Sequence, residues 1–200
     1  MRTRNFMFAP GSGVLVKLLA AVLFGAGLLA SISDAAAGDK AAAPATKLDR
    51  DARAALGNLY AKTPSAKALG GKAVAILVFP EVTKAGFVVG GQYGEGALLQ
   101  RGKSVAYYST AGVSYGLQAG AQKYGYAMFF MDDKALEALN KADGFEVGVG
   151  PSVVVIDEGR ARSMTTTTMQ DDIYAFIFGQ RGLMAGIGLQ GNKITKIDPK

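Results

Sequence analysis

Alternation of short apolar runs with glycine-rich breaks constrains this chain more than any other feature of its sequence. It is clearest between Lys72 and Gln122, which reads KAVAILVFPEVTKAGFVVGGQYGEGALLQRGKSVAYYSTAGVSYGLQAGAQ. Runs of this length, separated by glycine or turn residues, are typical of consecutive β-strands joined by short connections. Since no strand–helix–strand alternation is present, the pattern predicts a mainly antiparallel, glycine-rich sheet or a partly closed barrel.

About three short helices are predicted beside this sheet, which makes the fold class α+β and β-rich. Apolar residues at helical spacing indicate a helix over 47–61, with Thr46 as its N-cap. A second helix begins after Thr63, and a third is capped by Asp132 and runs through Asn140. The first two helices either meet a membrane surface or pack against the core. Their mixed charges and Ala-rich apolar side favour packing.

The strands are predicted to be short, because proline and glycine interrupt the apolar runs. Pro80 is expected to end the first strand, and the glycines of 90–96 are expected to break the second. The segment 173–178 fits either a strand or a short helix. A turn is predicted at Arg101–Lys103. Roughly ten strands are expected from twelve candidate segments, which are 73–79, 85–92, 97–100, 104–109, 113–121, 126–131, 145–150, 153–156, 162–169, 173–178, 183–189 and 193–197.

The N-terminal segment has the organisation of a secretory signal peptide. Basic residues precede an apolar stretch of 13 residues, Leu18 to Ala30, and Ala35-Ala36-Ala37 supplies a cleavage site. This stretch is shorter than the ~20 residues that span a bilayer, which favours cleavage over a permanent anchor. We therefore expect a periplasmic or secreted protein, with membrane association left open. The expected divisions are a signal peptide at 1–37, a linker at 38–46 and a single domain at 47–200.

Charge and composition exclude several classes of function. The formal charge is +6, but no Lys/Arg run of the kind typical of nucleic-acid binding is present, so a nucleic-acid partner is not expected. The chain has no His and no Cys. This excludes imidazole and thiolate metal sites, histidine bases and cysteine nucleophiles. We expect no metal and no cofactor.

Two enzyme-like motifs occur in the wrong context. Gly112–Gly116 matches G-x-S-x-G, but the chain has no histidine to accept the proton of Ser114. Gly186–Gly191 matches G-x-G-x-x-G, but only nine residues follow it, too few for a dinucleotide site. We expect no catalytic residue and no enzyme activity. Helix caps and turns account for the three acidic pairs, which are Asp132-Asp133, Asp157-Glu158 and Asp171-Asp172.

Three segments resemble the SYLF domain family, whose eukaryotic members bind lipid and act at cortical actin and endocytic membranes. They are 73–96 (AVAILVFPEVTKAGFVVGGQYGEG), 114–122 (SYGLQAGAQ) and 182–191 (GLMAGIGLQG). The chain resembles the bacterial branch of this family at Tyr107–Thr110 and Gly150–Ser152. Taken in order, these segments extend the resemblance over about 48–197, nearly the whole chain after the leader.

The resemblance implies a non-enzymatic protein that binds anionic phospholipid. Two differences limit what carries over to this chain. Residues 47–61 are Ala-rich and mixed in charge, where the eukaryotic domains are associated with a basic amphipathic helix. Tyr108-Ser109-Thr110-Ala111 lacks both the Trp and the Pro of the eukaryotic Trp-Ser-x-Pro segment. Actin binding and phosphoinositide selectivity are therefore not carried over.

Basic and aromatic residues are interspersed in the glycine-rich stretch, where they suit a lipid head group and its acyl region. Both a bilayer surface and a single lipid in an internal cavity fit this expectation. The alternative function is a structural or partner-binding cell-envelope protein, which self-associates or binds another protein through an edge of its strands. The expected lipid-binding residues are Lys84, Arg101, Lys103, Lys123, Phe87, Tyr107 and Tyr108.

Overall fold

The computed structural model describes residues 44–141, 144–156, 170–182, 189 and 191–198. Its helices are α1 (Pro44–Lys62), α2 (Pro64–Gly70) and α3 (Asp133–Leu139). Its strands are β1 (Ala75–Gln100), β2 (Lys103–Phe130), β3 (Phe145–Glu146), β4 (Val153–Ile156), β5 (Ile173–Gly182) and β6 (Lys193–Ile197). Several predicted segments lie outside the described residues, namely the signal peptide, 38–43 of the linker, the Asp157-Glu158 pair, the strand at 162–169, and most of the strand at 183–189 and of the Gly186–Gly191 motif.

The described strands form one six-stranded sheet with the order β3-β6-β2-β5-β4, and β1 pairs with β2 on its other edge. Every pairing is antiparallel except the one between β4 and β5. The predicted α+β, β-rich and mainly antiparallel fold is therefore confirmed. The central position of β2 follows from its length, since β5 and β6 pair with different parts of the same edge.

Two long strands, rather than a series of short ones, dominate the sheet. β1 has 26 residues and β2 has 28, and they pair from Ala75 opposite Phe130 to Gln100 opposite Lys103. The predicted turn between them at Arg101-Gly102 is confirmed. The prediction that Pro80 ends a strand is wrong. Pro80 lies in a bulge between Phe79 and Val82, where the ladder does not need its missing N–H group.

The β1–β2 pair folds back on itself, so that the two halves of β1 contact each other. A Cβ atom built on Gly96 would lie 2.6 Å from the carbonyl oxygen of Val78, and one on Gly94 would lie 2.7 Å from that of Glu81. These contacts leave no room for a side chain, so glycine is required at both positions. The predicted break at 90–96 is therefore wrong, because these glycines continue the strand.

Two apolar clusters cover opposite faces of the folded sheet. The inner cluster lies between the two halves of the β1–β2 pair and includes Leu77, Phe79, Tyr108, Tyr126 and Met128. α3 closes it with Ala135, Ala138 and Leu139. The outer cluster joins α1 and α2 to the sheet through Ala52, Leu56, Leu59, Ala66, Leu69, Ile76, Val78, Phe129 and Phe176.

The helices agree with the sequence predictions except at two caps. α1 begins at Pro44, so Thr46 lies inside the helix and is not its N-cap, since proline is well tolerated in a first turn. Thr63 precedes α2, but its side chain makes no capping hydrogen bond. Asp132 does cap α3, because its carboxylate accepts from the N–H group of Ala135 at 2.7 Å. Within the described ranges, none of the helices is long and apolar enough to cross a bilayer.

The packing interpretation of the first two helices is confirmed. Ala52, Leu56 and Leu59 of α1 are buried against the sheet, at most 9% exposed. Their spacing of four and three residues places them on one side of the helix. The strands predicted at 153–156 and 193–197 are confirmed, and 173–178 is part of β5. The strand predicted at 145–150 stops after Glu146, and turn residues follow it.

The tight fold-back contact makes a stability prediction at two glycines of β1. We expect Gly96→Ala to lower the free energy of unfolding by about 1–3 kcal/mol, because its methyl group would overlap the Val78 carbonyl and the Phe79 ring. Gly91→Ala is the matched control, since nothing lies within 4 Å of its Cβ position, and we expect a change of about 0.5 kcal/mol or less. Urea denaturation measures both. Equal effects of the two substitutions would contradict the fold-back.

Candidate functional site

The four predicted basic residues lie in three different places. Lys84 is buried on the inner side of the sheet, opposite the buried Gln122. Lys123 is exposed and forms an ion pair with Glu81 at 2.6 Å. Arg101 and Lys103 lie at the turn that joins β1 to β2. The structure therefore does not bring these residues together into one cationic surface.

The three predicted aromatic residues are separated as well. Tyr108 is fully buried in the inner cluster, where its hydroxyl donates to Oδ1 of Asn140 at 2.8 Å, and burial raises its pKa. Tyr107 faces the other way and packs against the outer cluster. Of these three aromatic residues, Phe87 is the strongly exposed one, with 78% of its surface accessible. The expected role of these residues in lipid binding stays a prediction.

Phe87 belongs to a sharp bend of β1, residues 86–90, where the β1–β2 pair turns back. Gly86 and Gly90 contact each other so closely that a Cβ atom on Gly86 would overlap the Gly90 backbone. Between them Val88 has a φ angle of 64°, in the left-handed region that β-branched residues rarely adopt. The pairing also shifts here, from Phe87 opposite Ala119 to Val89 opposite Tyr115.

Large apolar side chains are concentrated at this bend. Val88 and Val89 are each 49% exposed, and Val113, which lies on β2 beside the bend, is 72% exposed. Tyr93 is also exposed, and its hydroxyl donates to Glu95 at 2.8 Å. A contiguous exposed apolar patch marks an interaction surface more often than a scattered single residue does. We call these residues the apolar bend surface; they are Phe87, Val88, Val89, Tyr93 and Val113.

Basic side chains lie behind the apolar bend surface on both halves of the folded pair. In the first half, Lys123 is directly opposite Arg181 of β5, and alternation along the strand places Lys123 on the same face as Phe87. In the second half, Lys193 of β6 is opposite Ala111, on the same face as Val113. An apolar edge with cations on both of its sides therefore forms one end of the sheet.

Sequence reasoning missed most of this surface. It identified Phe87 and Lys123, but it did not single out Val88, Val89, Val113, Arg181 or Lys193. The run Phe87-Val88-Val89 was interpreted as the interior of a strand. The sequence did contain a signal for the bend, because a glycine on each side of that run permits a close approach of the backbone. The cations were missed because the pairing of β2 with β5 and β6 joins residues distant in sequence.

The inner side of the sheet contains a second unusual feature, a buried polar chain. The hydroxyl of Tyr124 donates to Oε1 of Gln92 at 2.7 Å, and Nε2 of Gln92 donates to Oδ1 of Asn192 at 2.5 Å. All three residues are at most 8% exposed. This chain links β1, β2 and the residue preceding β6, so it fixes the two halves of the folded pair to the same neighbour.

Several polar atoms beside this chain have no hydrogen-bond partner among the residues that the structure describes. They are Oγ1 of Thr110, Oε1 of Gln122, Oη of Tyr126 and Nδ2 of Asn192. Burial raises the pKa of the Tyr124 and Tyr126 hydroxyls far above the ordinary value. The neighbouring Thr110 hydroxyl opposes this shift at Tyr126, although the two oxygens do not meet the geometry of a full hydrogen bond. Both tyrosines are therefore neutral at physiological pH.

One pocket borders the sheet away from the bend, next to α3. Its volume is about 270 Å³, and Lys141, Glu146 and Lys193 contribute to its lining. Sites for small molecules commonly have volumes of roughly 300–1,000 Å³ and are mainly apolar. This pocket is therefore slightly smaller than a typical small-molecule site.

The enzyme-like motif at Gly112–Gly116 lies entirely within β2, so the strand–turn–helix geometry of a nucleophile elbow is absent there. The described acidic pairs have structural roles. Asp132 caps α3, and the Asp172 carboxylate accepts from the N–H and hydroxyl groups of Ser152, which holds its pKa below the usual value. In the described part of the chain, no group of three potential ligands could hold a metal ion.

Comparison with known proteins gives one match. A family model described as "Ysc84: Las17-binding protein actin regulator" matches residues 111–199. This range contains most of β2, together with α3 and β3 to β6. Of the three segments that carry the resemblance, it includes 114–122 and 182–191 but not 73–96. No curated protein matches the chain at a significant level.

The inner polar chain makes a prediction for two neighbouring tyrosines. We expect Tyr124→Phe to destabilise the fold by about 1 kcal/mol or more, because it removes the donor to a buried amide oxygen. Tyr126→Phe should change the stability by about 0.5 kcal/mol or less, or increase it, because that buried hydroxyl has no hydrogen-bond partner in the described part of the chain. Urea denaturation at neutral pH compares them. A larger loss for Tyr126→Phe would contradict this arrangement.

Proposed function

We propose, from the match of residues 111–199 to the Ysc84 family model, that the chain is a SYLF-family protein that is exported, non-enzymatic and binds anionic phospholipid at membrane surfaces. Export is proposed from the signal-peptide pattern of residues 1–37. The absence of histidine and cysteine from the sequence supports the non-enzymatic part. A generic anionic head group, rather than a particular lipid, is the proposed ligand.

The observation that carries this proposal is the excess of cations that lack an ion-pair partner. Ion pairs between described residues use only the basic side chains of Lys47, Arg50 and Lys123. Other exposed cations have none among the described residues; these include Arg101, Lys103, Arg181 and Lys193. Residues 1–37 contain three basic residues and one acidic residue, so the exported chain keeps +4 of the formal charge of +6 and has cations available for phosphate groups. Each Lys or Arg near an anionic membrane contributes roughly 1 kcal/mol.

Las17 binding and actin regulation, which the family description names, are not part of the proposal. The segment Tyr108–Ala111 corresponds to the eukaryotic Trp-Ser-x-Pro segment and lies in β2, between β1 and β6. Tyr108 and Thr110 point into the inner cluster and are fully buried. A partner protein therefore has no access to Tyr108, which replaces the Trp, whereas Ala111, which replaces the Pro, is exposed.

The proposal is tested by co-sedimentation of the exported protein, with its N terminus determined by mass spectrometry. We expect binding to vesicles that contain phosphatidylglycerol and none to pure phosphatidylcholine. Raising the salt from 0.1 to 1 M should weaken the binding about tenfold or more, because the screening length falls from roughly 10 to 3 Å. Equal binding to both vesicle types would contradict a head-group interaction, and binding to neither would contradict membrane binding altogether.

A further inference from the structure

The bend of β1 combines two features that packing of the described residues does not explain. Val88 has a left-handed backbone, which typically costs about 1–3 kcal/mol, although it is not a glycine. Phe87 and Val113, on either side of the bend, are among the most exposed large apolar residues in the described part of the chain. A strained backbone that presents apolar side chains to solvent points to an interaction at that position.

Helix α1 does not provide an equivalent apolar surface. Its apolar residues Ala52, Leu56 and Leu59 are buried against the sheet. The exposed side of α1 offers charged residues such as Arg50 and Arg53, which contribute electrostatic attraction alone. Insertion of α1 into a membrane interface would expose the outer cluster to water. The bend offers apolar side chains without such a rearrangement.

The distances between the apolar edge and the cations are comparable to the depth of a membrane interface. Phe87 is four residues from Thr83, which is opposite Lys123, and this separation corresponds to about 13 Å along a strand. Val113 is two residues from Ala111, which is opposite Lys193, or about 7 Å. Interfacial segments insert their apolar side to roughly 5–10 Å. The cations therefore reach the head groups when the apolar edge reaches the acyl chains.

From this geometry we infer that the apolar bend surface inserts into the interface of an anionic membrane, with Phe87, Val89 and Val113 entering the acyl boundary. Arg181 is the main head-group ligand on this surface. Lys123 is already paired with Glu81, and Lys193 lies directly opposite Glu146, although these two form no ion pair, whereas Arg181 lies opposite Lys123 and has no carboxylate directly across from it. This inference rests on the proposed membrane binding. It adds an apolar contribution to the binding free energy, which salt does not screen.

Membrane insertion explains the arrangement better than docking of a protein does. The surface is an edge with cations on two sides. Its described carboxylates all have polar neighbours, since Glu81 pairs with Lys123, Glu146 lies opposite Lys193 and Glu95 accepts from Tyr93. A convex apolar edge suits a deformable acyl layer, whereas protein interfaces require a complementary groove in the partner.

The bend lies eleven residues from the turn at Arg101, about 36 Å along the strand, so substitutions at the two ends can be compared separately.

The test compares Phe87→Ser with Val105→Ser, both in the exported protein. Val105 is 52% exposed and lies near the Arg101-Gly102 turn, which makes it a matched control. With vesicles of equal parts phosphatidylglycerol and phosphatidylcholine at 1 M salt, we expect Phe87→Ser to lower the partition coefficient about tenfold or more. Val105→Ser should leave it within about twofold. Both changes are at exposed positions, and thermal unfolding verifies that each variant folds.

A second measurement follows insertion directly. Since the chain contains no cysteine, Val89→Cys and Val105→Cys each provide a single site for an environment-sensitive fluorophore. We expect a blue shift with anionic vesicles at position 89 and none at position 105. The inference is overturned if the wild-type protein binds vesicles, Phe87→Ser leaves this binding unchanged and the label at position 89 shows no blue shift. The proposed function would survive that result.

Two further outcomes are informative. If the wild-type protein binds no vesicle, the proposed function fails and the inference fails with it. If the protein instead forms oligomers in solution that Phe87→Ser dissociates, the bend is a self-association surface, and membrane insertion is overturned. Gel filtration of the wild-type protein and the Phe87→Ser variant distinguishes this second outcome.

Discussion

The close contact between the two halves of β1 is the constraint on which the rest of this structure depends. A straight pair of strands of 26 and 28 residues would expose both faces to water, and its inner apolar residues would have nothing to pack against. Folding the pair back at residues 86–90 encloses that face. The contact requires glycine at positions 94 and 96, because the carbonyl groups of Val78 and Glu81 fill the space of a side chain.

The fold-back also determines what remains on the surface. Two helices cover the outer face of the sheet and bury the apolar side of α1. The inner face is sealed by the apolar cluster and by the hydrogen-bonded chain from Tyr124 through Gln92 to Asn192. Among the described residues the bend stays uncovered, and its sharp reversal of two strands presents Phe87, Val88 and Val113. Cations behind this edge make it suited to an anionic interface.

Local signals in the sequence were sufficient for the fold class and for most of the helices. The Asp132 cap and the turn at Arg101-Gly102 involve neighbouring residues, so short-range chemistry determines them. Pro80 and the glycines at 90–96 were misinterpreted as strand ends. Their roles depend on residues distant in sequence, namely a bulge opposite β2 and the approach of one half of β1 to the other. The position of Lys84 was missed for the same reason, since its burial follows from the fold-back.

The most direct test of the fold-back is a distance between spin labels at Glu81→Cys and Glu95→Cys, two exposed positions in a chain without cysteine. In the folded-back pair the backbone of Glu81 contacts Gly94, the residue before the second label. Electron paramagnetic resonance should therefore give a separation well below about 30 Å, given that packed sheets lie roughly 10 Å apart. A separation near 46 Å, the length of roughly 14 residues of straight strand, would contradict the fold-back and the surface that it creates.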